Sequence, residues 1–153
     1  MDKILTIDKP GEAFIESLEG IEYQIYRDKF GFLTGGVGHK LQTSELSRFK
    51  VGDTISKTQV DAWLDADLRL TERCIVSYVT APLNQNQFNA LASLIFNIGW
   101  GHFHGSGLMQ SINKMESPQL IEAHWIAWGR HNGIDDPELI VRRHKEFNLF
   151  LKK

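Results

Sequence analysis

Two carboxylates and a hydroxyl, Glu19, Asp28 and Thr34, stand in one short block with the spacing Glu-x8-Asp-x5-Thr, interleaved with glycines at 20, 31, 35, 36 and 38. These residue types suit hydrolysis of a glycosidic bond, a reaction that makes opposite demands on its two acids. One carboxyl must carry a proton to the departing sugar oxygen, while the other must stay ionised to orient water or to steady positive charge on the sugar ring. Acids in unlike surroundings meet both demands. Here one falls in the last turn of an expected helix and the other in an expected turn. Thr34 is a water holder or merely a strand former according to the side of the strand its hydroxyl takes.

The elements that must position these residues are readable from punctuation. Asp8 with Pro10 starts a helix and Gly20 stops it, so Glu19 sits in its last turn with Phe14, Ile15 and Leu18 on the packing side. From Tyr23 to Leu41 the residues turn aromatic, β-branched and glycine-rich. This is the pattern of a short antiparallel sheet with Asp28 to Gly31 in one turn and Gly36 to Gly38 in a second bend. Ser56-Lys57-Thr58-Gln59 is a capping box that opens a long helix through Val60, Trp63, Leu64 and Leu68 toward Tyr78.

Asn84 with Gln87 starts an apolar helix ending at Gly99. Ser117-Pro118 and Asp136-Pro137 each set an N-cap before a first-turn proline, for helices through Trp125 and Trp128 and from Arg142 to Phe150. The class is therefore α+β. One catalytic domain over residues 1–153 is expected, with a small N-terminal hairpin-and-sheet lobe (12–60), a linking helix (56–78) and a larger, all-helical C-terminal lobe (80–153). The site is expected in the cleft between the lobes.

Composition agrees with one modest enzyme domain and excludes several alternatives. A chain of 153 residues buries roughly two-thirds of its extended surface, so no disulfide or metal staple is needed. Cys74 stands alone and reads as a small buried apolar residue. The net charge of -2 and the lack of a basic stripe disfavour a nucleic-acid partner. His102-Phe103-His104 reads as a solvated glycine-rich loop without metal-ligand spacing, and no metal or other cofactor is expected. Residues 1–10 carry no apolar leader and no stretch approaches the ~18 apolar residues of a membrane helix. Synthesis in a cytoplasm without membrane insertion is expected, and the chain is taken as a monomer. Trp63, Trp100, Trp125 and Trp128 read as core, Arg142 and Arg143 as a half-solvated pair, and Glu12, Glu16 and Glu22 as surface acids.

With Gly20 after the glutamate, Gly31 after the aspartate, and Thr34-x-Gly36-x-Gly38-His39 closing the block, the chain resembles the bacteriophage-type lysozymes, the endolysins of glycoside hydrolase family 24. The resemblance continues through Ala90 to Gly99, ending in Asn97-Ile98-Gly99, and through Ile140-Val141-Arg142-Arg143 to Phe147–Leu151. It implies cleavage of the β-1,4 bond between N-acetylmuramic acid and N-acetylglucosamine in bacterial peptidoglycan. Glu19 would be the acid, with Asp28 and Thr34 placing water for inversion. It further implies substrate contacts from Phe96 and Ser106, support of Glu19 by Arg142, and pairing of His39 with Asp67 on the linking helix. Made in the host cytoplasm, such an enzyme reaches the wall after a holin opens the membrane. One departure is Gly35, where the family more often has a bulky apolar residue, and this should loosen the strand.

Two rivals remain on the residues alone. A lytic transglycosylase cuts the same bond with one glutamate, using the sugar's own hydroxyl, and the presence of Asp28 and Thr34 argues against it. A catalytically silent wall-binding or virion protein of similar fold is the other, and no added binding repeat supports it.

Overall fold

The computed structural model describes residues 4–153; Met1 to Lys3, part of the segment read above as lacking an apolar leader, lie outside the described residues. The elements run α1 (Lys9–Glu19), β1 (Glu22–Arg27), β2 (Leu33–Gly36), β3 (His39–Lys40), α2 (Lys57–Tyr78), α3 (Gln85–Ile98), α4 (Trp100–Phe103), α5 (Gly107–Asn113), α6 (Pro118–Ile126), a 3₁₀ turn (Ala127–Gly129), β4 (Arg130–His131), β5 (Ile134–Asp135) and α7 (Pro137–Phe150). They form two compact units, Ala13–Arg69 and a second made of residues 4–12 with Leu70–Lys153, and α2 contributes to both.

In the unit Ala13–Arg69 the antiparallel order is β1-β2-β3. Its core gathers Ile15, Ile25, Val37, Leu41, Ile55, Val60, Trp63, Leu64 and Leu68, all buried. Gly35 belongs to this core. A Cβ built on it would meet Ile55 Cδ1 at 2.4 Å and Ile25 Cδ1 at 2.9 Å. The missing side chain is thus replaced by neighbouring ones, and the expected loosening of the strand gives way to close packing.

The other unit is organised around α3. Asn84 accepts from Gln87 N at 2.8 Å while Gln87 Oε1 accepts from Asn84 N at 2.9 Å, a reciprocal capping box. Phe88, Asn89, Ala90, Leu91, Ala92, Ser93, Leu94 and Ile95 are all buried, so the middle of the helix is enclosed nearly all round, and it packs against α7. Trp125 is completely buried, its ring 5.8 Å from Phe147 and 5.1 Å from Phe150.

Four expectations need correction here. The larger unit is mostly rather than wholly helical, because Asn132 (φ 51°) and Gly133 (φ 76°) turn β4 back onto β5. Trp128 lies in the 3₁₀ turn and not in α6. Gly129 follows it and packs on Ile140, where a Cβ would approach Cγ1 to 2.6 Å, so the chain leaves the helix before this contact. Of the four tryptophans, Trp63 and Trp125 are core, whereas Trp100 is 45% exposed beside Tyr78 and Trp128 is only half-buried. Where a loop was expected around His102, Trp100 to Phe103 form the short helix α4, with His102 Nδ1 2.7 Å from Ile98 O.

Candidate active site

Glu19 is the last residue of α1, and Gly20, at φ 71°, ends the helix while its N–H donates to Glu16 O at 2.9 Å. The half-buried Glu19 carboxyl lies against the bend between β2 and β3. A Cβ on Gly38 would meet Glu19 Oε2 at 2.4 Å and Cδ at 2.9 Å, and Gly38 also holds φ 60°. Both the backbone conformation and the space it leaves require glycine.

Asp28 and Thr34 converge on one residue, Phe32. Asp28 Oδ1 accepts from the amides of Phe30 and Phe32, each at 2.9 Å. The Phe32 carbonyl in turn accepts from Asp28 N at 2.9 Å and from the Thr34 hydroxyl at 3.1 Å. Gly31, at φ 90°, closes the turn through its N–H to Asp28 O at 2.9 Å.

The side of the strand taken by Thr34 follows from register. Gly35 pairs with His39, and this row meets Trp63 and Ile55 of the core. Side chains alternate along a strand, so Thr34 faces the other way, in a row with Tyr26 on β1 and Lys40 on β3. Tyr26 was not singled out by the sequence. Burial pushes its hydroxyl pKa above the ordinary value, and the negative charges of Glu19, Glu22 and Asp28 raise it further. One side chain in Thr34's row therefore lies in the field of both acids.

Beside this row, on the core face, His39 Nδ1 is 2.7 Å from Asp67 Oδ2 and Nε2 is 2.9 Å from Glu45 Oε2. Trp63 stacks on the imidazole at 4.5 Å, 16° from parallel, and donates its indole N–H to Glu45 Oε1 at 2.7 Å. Burial alone would lower the His39 pKa, but hydrogen bonds and charge from Asp67 and Glu45 outweigh it and raise the value. For Glu45, burial works upward and is outweighed by the Gln42 amide, His39 and Trp63, leaving its pKa lowered. Glu45 is the member of this cluster that sequence reasoning missed.

Phe96, Ser106 and Arg142 belong to the other unit. Phe96 is half-buried near the end of α3. Ser106 is the N-cap of α5, its Oγ accepting from Met109 N at 3.1 Å. Arg142 and Arg143 are buried, correcting the half-solvated reading, because a carboxylate and two polar side chains follow them inside. Glu146, fully buried, accepts from Ser93 Oγ at 2.6 Å, from Arg142 Nε at 3.3 Å and from Arg143. Arg142 also donates to Ser93 O at 3.1 Å, and Arg143 to Asn97 and to Trp128 O at 3.2 Å. Among the described residues no group of three or more His, Cys, Asp or Glu side chains is placed to hold a metal ion.

A mostly helical fold with a small antiparallel sheet, in which Glu19 ends a helix, Asp28 sits in the first hairpin turn and Thr34 on a strand, is that of the lysozyme class of glycoside hydrolases. The model of the family described as phage lysozyme matches residues 16–146, and the chain belongs to that family as an endolysin-type muramidase. The endolysin of Salmonella phage P22 is 35% identical over 150 residues, which are 97% of this chain and 99% of that relative. Among solved structures, the muramidase domain of SpmX from Asticaccaulis excentricus is similar with a TM-score of 0.81 at 30% identity, covering 97% of this chain and 99% of that one. The endolysin of the Escherichia coli phage FAHEc1 shares the fold, with a TM-score of 0.83 at 24% identity over 99% of this chain and 97% of its own.

Proposed function

We propose that this muramidase hydrolyses the β-1,4 bond from N-acetylmuramic acid to N-acetylglucosamine in peptidoglycan with inversion, Glu19 giving its proton to the leaving oxygen while Asp28 and Thr34 hold the attacking water. The observation that carries the reading is that Asp28 and Thr34 are both tied to Phe32, the carboxylate through its N–H and the hydroxyl through its carbonyl. Asp28 Oδ1 is occupied by two amides, and in this reading Oδ2 takes the water. The Thr34 hydroxyl gives its proton to the Phe32 carbonyl and so presents only lone pairs. Water that donates one hydrogen to each of these acceptors keeps its own lone pair for the anomeric carbon, and Asp28 takes the proton as the bond forms. Proton balance is then complete: one leaves Glu19 with the departing sugar, and one arrives at Asp28 from water.

The resemblance supports substrate contacts from Phe96 and Ser106 and a supporting role for Arg142. In the lysis setting the chain is made in the host cytoplasm, acts as a monomer, and reaches the wall after a holin permeabilises the membrane. No helix among the described residues is long and apolar enough to cross a membrane.

Digestion of purified walls in oxygen-18 water tests the chemistry. Each cut should leave a reducing muramic acid end bearing one solvent oxygen, with the inverted anomer formed first. Unlabelled 1,6-anhydro ends would replace the hydrolase reading by the transglycosylase. Labelled ends of retained configuration would remove direct displacement by the water of Asp28 and Thr34.

A further inference from the structure

We propose that Glu45 is a positioning residue for Glu19, acting through His39 to hold the Gly36–Gly38 bend against the carboxyl that donates the proton. The inference rests on Glu19 as the acid. Its geometric basis begins with three contacts of Glu45 within one unit. Glu45 Oε2 takes Gln42 N at 2.7 Å and His39 Nε2 at 2.9 Å, while Oε1 takes the Trp63 indole at 2.7 Å. Capping the turn at Gln42 would need one oxygen only. The second oxygen and the shared lone pairs are spent on the imidazole and on the ring that stacks upon it.

With Asp67 on Nδ1, Glu45 on Nε2 and Trp63 on its face, the imidazole has no freedom left. Asp67 and Trp63 come from α2 and Glu45 from the segment after β3, so three residues from two parts of the fold fix one ring. The residue before that ring is Gly38, whose Cα lies against the Glu19 carboxyl. Movement at His39 is therefore movement beside the acid. Both ring bonds to carboxylates need both ring nitrogens protonated, because a neutral imidazole donates from one nitrogen only. Asp67 and Glu45 are the charged groups facing the ring, and its loss of a proton releases one of the two anchors.

Glu45→Gln keeps the side-chain length and one acceptor oxygen but removes the charge. The turnover number on purified peptidoglycan should fall about tenfold with KM changed less than about twofold, since a small misplacement of a catalytic group acts on the chemical step. The alkaline limb of the pH–rate profile should move to lower pH, together with the His39 titration followed by NMR. Glu45→Ala should move all three further in the same direction at temperatures where circular dichroism shows a folded chain. A wild-type turnover number and an unmoved pH profile in a variant whose His39 titration has shifted would overturn the proposal. So would a lowered melting temperature alone. Glu19→Gln run in parallel separates the two layers: wild-type rates there would sink the assignment of Glu19 itself, whereas an inactive Glu19→Gln beside a fully active Glu45→Gln would sink only the positioning role.

Discussion

Gly38 and Glu19 share a space that admits no methyl group. The glycine's φ of 60° is a conformation other residues avoid, and a Cβ there would stand 2.4 Å from the glutamate's Oε2. A bend in the sheet and the last residue of a helix are thus fitted to each other, 19 residues apart in sequence.

Gly38→Ala should therefore cost both stability and activity. The left-handed backbone costs about 1–2 kcal/mol for an L-residue. Gly52 is the matched control, since it has φ 92° and nothing within 4 Å of a built Cβ. Both alanine variants should lose similar stability in urea titrations. Only Gly38→Ala should lose turnover, by about tenfold or more, because only there is the carboxyl proposed as the acid displaced. Equal activities in the two variants would remove the link between the bend and Glu19.

The sign of the pH dependence at His39 and Glu45 is fixed by opposite shifts. The His39 pKa is raised from an ordinary 6.5, so its contribution to stability is complete below 6.5 and is lost as pH rises through the folded value. The Glu45 pKa is lowered from an ordinary 4.5, so its contribution is present above 4.5 and is lost as pH falls through the folded value. The cluster therefore stabilises most between 4.5 and 6.5. Urea midpoints of the wild type and His39→Asn should differ most in that window and converge on either side. A difference that stays constant with pH would show that the ring contributes packing alone.

Local signals were legible wherever backbone chemistry was local. Asn84 with Gln87, Ser117 before Pro118 and Asp136 before Pro137 each cap the helix they announced. The helix end at Glu19 was legible from Gly20, and the turn at Asp28 formed as its residue type demands. Asn132-Gly133 was a hairpin signal overlooked because strands of two residues show no alternation. Glu45 was unreadable for another reason. Nothing in Gln42 to Phe49 has a period, and the role of Glu45 exists only once the fold brings His39 and Trp63 to it. Arg143 misled in the same way, since charge suggests solvent until Glu146, Asn97 and the Trp128 carbonyl surround it.

That buried cluster should respond sharply to loss of its one described carboxylate. Glu146 is fully buried and accepts from both arginines and from Ser93. Glu146→Ala would leave two buried guanidiniums short of it, an arrangement that costs about 3–5 kcal/mol. For a chain of this length the melting temperature should fall on the order of 10 °C. Glu146→Gln, which keeps an acceptor for Ser93, should fall less. A loss under about 1 kcal/mol for the alanine variant would mean that solvent reaches the site and screens it.

Thr34 offers the most direct test of how water is held. Its hydroxyl donates to Phe32 O at 3.1 Å, and the residue is only 3% exposed, so valine of nearly the same shape fits the space. Thr34→Val removes the oxygen that accepts from water and the bond that ties the strand to the Asp28 turn. The Phe32 carbonyl keeps its second donor, Asp28 N at 2.9 Å, so the turn survives. Turnover should drop by about tenfold to a hundredfold with KM little changed, as expected when a reactant is less well oriented but the substrate is bound as before. Thr34→Ser restores the oxygen and should recover most of the rate. If valine is as active as serine, the hydroxyl holds no water, and Asp28 must orient the nucleophile without it.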